Sequence, residues 1–398
     1  MRIRLITWGV LVIVSCCAMV VLWAPDFIQV PFGSEGAKAR LIRDDHELDI
    51  FYQRGSWVTR GITPYDASIF QEYPQAGLAY ITLPYLFGNE YETYRWVLVV
   101  MNTVTLVSLV VISLRLLKKL NRSPWYIFLL LLPSMLYFGL SRFDVLVALA
   151  VQIGLLLILS HRWRWAAILF AVAFLIKWYP IIFLPLLYAY IKQTEGERAS
   201  RVIREFYLIG VSIVASVLVA SFVVDGFVSL RPYLFHGARA GGVGSLYFML
   251  LQGPLLSTGI PPLNYLGLTV FLLLQVSLPL YALVQWRVVA QWLITPRQLI
   301  LWMSLATVLF TLFSRFYSPQ WIVWFVPLLL LVADKRLAGL IIGYDILNYV
   351  SFPLIWQVWG PFSTGYLCIS LVIIVCLVLI VRRVFLLILD KKELAPSE

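Results

Sequence analysis

From Leu5 to Leu389 one apolar stretch follows another, separated by short charged connections. A helix needs about 20 apolar residues to cross the hydrocarbon layer, because lipid offers no partner for a bare backbone N–H or C=O. That pattern excludes a water-soluble fold. About twelve such helices can be read at that length, so the chain is expected to be all-α, a polytopic membrane protein built as one integral-membrane domain over residues 1–398. Composition agrees, with 61% hydrophobic residues, 13% charged ones and a mean hydropathy of +0.88.

Spans are expected near 5–24, 93–117, 124–140, 143–160, 163–176, 179–191, 205–224, 264–286, 298–313, 319–333, 337–356 and 364–381. Arg2, Arg4 and the run behind them imitate a signal peptide, but the run continues past Cys16 to Trp23, so it reads as an uncleaved first span. With both termini cytosolic, 20 of the 31 Lys and Arg residues fall on the cytosolic side, as the positive-inside bias requires. The net charge of +11 therefore orients helices and implies no nucleic acid. The runs 163–176 and 179–191 are each short, and read as a helical hairpin broken at Tyr179-Pro180 near the outer surface; a single long helix would invert everything after it.

Two extracytosolic segments are long. Residues 25–92 hold an acidic cluster and then Ala76 to Phe87, apolar but too short to span, which is expected to lie in the interface. Residues 225–263, the fourth outer loop, carry Gly241-Gly242-Val243-Gly244 and then Pro254, Pro261 and Pro262, marking turns and another interfacial helix.

The acidic cluster runs Asp44-Asp45-His46-Glu47-Leu48-Asp49. A carboxylate at the mouth of a membrane cavity can take the proton of an attacking sugar hydroxyl. Asp49 opens an aromatic run, Ile50-Phe51-Tyr52, that would hold it at the boundary, whereas Asp44, Asp45 and Glu47 have polar neighbours and are expected to face water. The same acids read equally as a solvated loop, or as weak ligands for a divalent cation. No metal signature stands out, and the four cysteines, all inside apolar segments, form none.

Ionisable residues at membrane depth are costly and tend to have a role or a partner. Arg142 and Asp144 flank an outer turn, where they either pair with each other or meet a substrate. Lys177 lies at the hairpin tip, either snorkelling or holding a lipid phosphate. Arg315 sits in a further outer turn beside Gln320, and His236 and Arg239 lie in the fourth outer loop. These cations share one face, and a phosphate leaving group gathers negative charge that such groups stabilise best where water is scarce. Nucleotide-binding and zinc-protease motifs are absent, which argues against a nucleotide-sugar donor.

Asp49 with Tyr52, Gly61 with Pro64-Tyr65, Tyr73-Pro74, Arg142-Phe143-Asp144, Lys177 with Tyr179-Pro180, and Ser318-Pro319-Gln320 followed by Trp324 and Pro327 occur in that order along the chain. In this the sequence resembles the GT-C superfamily of integral-membrane glycosyltransferases, and most closely glycosyltransferase family 87, the polyprenol-phosphate-mannose-dependent mannosyltransferases. The resemblance implies inverting transfer of a sugar, mannose by analogy, from a polyprenyl-phosphate donor to a lipid or glycan acceptor on the extracytosolic side, without a cofactor. It implies Asp49 as general base, Lys177, Arg142, Arg315, His236 and Arg239 as groups for the donor phosphate, and Tyr52, Tyr65, Glu72, Tyr73, Asp144 and Gln320 as substrate contacts. One departure stands out: where the family often has two prolines after the tyrosine, this chain has Pro74-Gln75. A transporter or flippase and a lipid-linked glycan polymerase or ligase remain rival readings, separated by whether sugar is transferred.

Overall fold

The computed structural model describes residues 2–23, 29–31, 38–40, 43–62, 65, 72–238, 242–252 and 262–390. Each apolar run expected to cross is helical. The first nine helices are α1 (Arg2–Trp23), α2 (Asp45–Thr59), α3 (Gln75–Thr82), α4 (Tyr91–Lys119), α5 (Pro133–Ser141), α6 (Asp144–Ile158), α7 (Trp163–Ile176), α8 (Leu184–Thr194) and α9 (Ala199–Asp225). The short α10 (Arg231–Ala238) follows. The spans are unequal. Among the described residues four stretches, Tyr91–Lys119, Gly196–Leu234, Lys335–Trp359 and Thr364–Leu389, are long and apolar enough to cross alone, and two bent pairs bring the number to six. Shorter apolar rods fill the interior; every residue of Ile322–Val332 is buried.

One bent pair shows how such a break is tolerated. The helical turn Pro124–Leu131 meets α5 at 65°, because Leu132 precedes proline and is extended (φ −70°, ψ 154°). The N–H groups this frees at Ser134 and Met135 donate to the Asp345 carboxylate of the Lys335–Tyr349 helix, at 2.9 and 3.1 Å.

The 163–191 region is a hairpin. After α7, Lys177 is extended (φ −148°, ψ 130°), a tight turn Tyr179–Phe183 reverses the chain, and α8 returns. Glu195, just past α8, accepts the Trp163 indole N–H at 3.0 Å and lies 2.7 Å from His161 Nδ1, so both feet of the hairpin share one end of the bundle. That end also gathers the contacts of Lys119 with Ser160, Arg164 with Glu205 and Arg383 with Asp334. Asp44, Arg142 and Lys177 cluster at the other end.

The first outer segment contributes a small antiparallel hairpin, β1 (Gln29–Pro31) against β2 (Lys38–Arg40), and the two short helices α2 and α3. Asp44 caps α2, its carboxylate accepting the Glu47 N–H at 3.3 Å. α3 lies directly on the tip of α7. A Cβ at Gly77 would stand 2.8 Å from the Ile176 carbonyl oxygen, so only glycine permits this approach. Tyr80 then donates to Asn102 at 3.0 Å, and Asn102 donates to the Leu140 carbonyl at 2.9 Å, tying α3 to α4 and α5.

Candidate active site

The phase of α2 decides which of its acids turns toward the site. At about 100° per residue, Glu47, Phe51 and Arg54 fall on one face and Asp49 on the opposite one. Phe51 packs in the core against Tyr73 and Phe143, with ring centroids 5.6 and 5.4 Å apart. Glu47 accordingly points inward, accepting the Tyr73 hydroxyl at 2.8 Å and lying 3.6 Å from Arg142. Arg142 also donates to Asp44, which is 3% exposed, through Nε at 3.1 Å. The expectation that Asp44 and Glu47 face water is therefore corrected: the partly buried Arg142 guanidinium compensates the cost of removing both carboxylates from solvent. Burial pushes the Glu47 carboxyl up, but Arg142, the Tyr73 hydroxyl, Lys177 and Arg54 outweigh it, leaving Glu47 below the ordinary glutamate range.

Beyond Tyr73 lies a cavity of about 210 Å³ whose walls include Glu72, Tyr73, Lys177, Tyr179, Arg315 and Gln320. Arg54 spans its edge, over the Tyr73 ring at 4.6 Å and 3.7 Å from Glu72. The Lys177 ammonium lies 4.7 Å from the centre of the Phe143 ring and 3.6 Å from Asp144, itself 1% exposed. Asp144 accepts the Trp324 indole N–H at 2.7 Å, and Trp324 stacks on Tyr179 at 4.3 Å. The Arg315 turn is pinned by its own carbonyl, which accepts Gly242 N–H at 3.0 Å and the Ser245 hydroxyl at 2.7 Å. Burial draws the Arg315 guanidinium below its ordinary pKa. Two buried polar atoms on the wall, Tyr179 Oη and Gln320 Oε1, have no hydrogen-bond partner. A desolvated cation with unsatisfied polar atoms beside it suits an anionic, hydroxyl-bearing ligand.

Lys177, Arg315, Glu72, Tyr73 and Gln320 thus come together, with Arg142 and Asp144 directly behind them. Asp49 does not join them; it is exposed and accepts a bond from Gln53 at 3.0 Å. Tyr52 stacks on Tyr85 and donates to the Asn89 carbonyl at 2.7 Å. Tyr65 is buried and donates to the Tyr73 carbonyl at 3.0 Å. Both brace the scaffold. The backbone of His236 lies in α10, while its side chain, like all of Arg239, is outside the described residues. Glu47, Arg54 and Trp324 are residues to which the sequence reading gave no role in the site. The i, i+4, i+7 spacing of Glu47, Phe51 and Arg54 was the signal that could have found the first two.

The sequence profile of glycosyltransferase family 87 matches residues 70–319. The chain belongs to glycosyltransferase family 87. It is a polytopic membrane glycosyltransferase. The family 87 match takes in Glu72, Tyr73, Arg142, Lys177 and Arg315 and begins after the acids of α2. No protein of curated function matches the sequence. Among solved structures the chain is similar to ArnT from Cupriavidus metallidurans bound to undecaprenyl phosphate, at 13% identity and a TM-score of 0.49, over 96% of this chain and 76% of that one.

Proposed function

We propose that this family 87 enzyme takes a sugar, mannose by family analogy, from a polyprenyl-phosphate donor and transfers it with inversion to a hydroxyl of a lipid or glycan acceptor on the extracytosolic side. The observation that carries the reading is the placing of Lys177 and Arg315 on the wall of one cavity, with Arg142 behind it. In the reaction the acceptor oxygen attacks the anomeric carbon and gives its proton to a carboxylate. The bond from that carbon to the phosphate oxygen breaks, and polyprenyl phosphate leaves with an added negative charge, next to Lys177 and Arg315. Tyr179, Gln320 and Glu72 offer hydrogen bonds for the sugar. The outer side is favoured because the cavity lies at the end opposite Lys119, Arg164 and Arg383.

Glu47 fits the base role better than Asp49. It is kept ionised by its cationic neighbours and is oriented by Tyr73, whereas Asp49 faces away. The test supplies the purified enzyme in liposomes with polyprenyl-phosphate mannose and a lipid acceptor. Glu47→Gln is expected to lower transfer by about 10²–10⁴-fold, the usual range for a lost general base, and Asp49→Asn to leave it near wild type. Loss in Asp49→Asn with activity kept in Glu47→Gln reverses the assignment, and absence of any sugar transfer removes the reading.

A further inference from the structure

A groove of about 510 Å³ runs between α3, the turn behind it and the far end of α9. Its sides are aliphatic, and Leu83, Leu86 and Val224 at its rim are exposed. In a membrane-spanning chain such a rim faces hydrocarbon, so the groove opens sideways to lipid. Asp225 stands at its polar end, with Oδ1 buried and accepting no hydrogen bond from the described residues. No Lys or Arg occurs among the described residues that line it. Its chemistry is therefore the opposite of the cavity's: a carboxylate repels a phosphate and accepts bonds from hydroxyls.

Groove and cavity share a thin wall. Gln75 lines the groove, and its Oε1 accepts the hydroxyl of Tyr233, a cavity residue, at 2.8 Å. Tyr65 lines the groove and donates to the carbonyl of Tyr73, another cavity residue. A neutral side-chain hydrogen bond of this kind contributes little net stability, so the Gln75–Tyr233 contact is a partition that a ligand can displace.

We propose that this groove admits the acceptor, an uncharged amphiphile with a hydroxyl-bearing head. Its chain lies between α3 and α9, its head bonds Asp225, and it reaches the cavity where Gln75 meets Tyr233. The inference rests on the glycosyl-transfer reading and deepens it by giving the two substrates separate approaches, with Gln75, the residue at which this chain departs from the family, on the acceptor's side.

The test is photolabelling of the full chain in liposomes with a diazirine-bearing dodecyl β-glucoside, against the same chain carrying a phosphate head, with adducts mapped by mass spectrometry. The glucoside is expected to label the peptides holding Leu78–Leu86 and Ala220–Asp225, and the phosphate amphiphile to leave them unlabelled. Asp225→Leu is expected to lower glucoside labelling about tenfold, the effect of losing one hydrogen bond to a charged group. Ala220→Trp, which fills the groove, is expected to do the same. Equal labelling by both heads, or labelling indifferent to both substitutions, overturns the proposal. Transfer of mannose from polyprenyl-phosphate mannose to a lipid acceptor by the wild-type enzyme is measured in parallel. Its absence counts against the transfer reading, while the labelling still decides the groove.

Discussion

Lys177 Nζ stands 3.6 Å from Asp144 Oδ1, and the same oxygen accepts the Trp324 indole N–H at 2.7 Å. One buried oxygen therefore orients both a cation of the cavity wall and the ring that stacks on Tyr179. Removing either partner leaves a largely desolvated polar group without its complement.

Asp144→Ala strips Lys177 and Trp324 of that shared acceptor. The expected cost is about 1–3 kcal/mol, the penalty for stranding buried donors, together with a raised KM for the donor. Asp144→Asn keeps an oxygen for the indole and is expected to retain most of the stability while losing the hold on Lys177. Thermal unfolding in detergent separates the two, and identical melting of both variants refutes the shared-oxygen account.

The acid side of the pH profile is expected to follow Glu47. Its folded pKa is depressed, so the stability it contributes is complete above the ordinary glutamate range and is lost as pH falls through the lower folded value. A base must be ionised, so the acid limb of kcat/KM is expected below the ordinary glutamate range. Arg142→Gln removes the largest opposing charge and should move the limb upward. A limb that does not respond to this change belongs to another group.

At Gly77 any added Cβ meets the Ile176 carbonyl oxygen at 2.8 Å. Backbone cannot yield as a flexible side chain does, so Gly77→Val is predicted to cost about 1–3 kcal/mol and to lift Tyr73 off Lys177. Unfolding temperature and donor KM should change together. A variant with weakened melting but normal KM would show that α3 does not set the site.

The membrane architecture was legible because hydrocarbon imposes one rule on every span, and the length of 163–176 and 179–191, with Pro180 between, marked the hairpin. The meeting of Lys177 and Arg315 was legible from loop alternation alone. Glu47 was not, because its setting was judged from polar neighbours in sequence, whereas its environment is fixed by the turn angle of α2 and by Arg142, 95 positions away. The shorter helices were hidden as well. An apolar run does not say whether it crosses as a full rod or stops inside the bundle on a partner such as Asp345.

The carboxylate of Asp345 holds the first N–H groups of α5, and Arg142 follows the last residue of the same helix. Nine residues at 1.5 Å each make a stiff lever of about 13 Å, hinged at Leu132. Whatever tilts the Lys335–Tyr349 helix swings the guanidinium that steadies Glu47, so the tuning of the site is mechanically open to a part of the molecule that does not line the cavity.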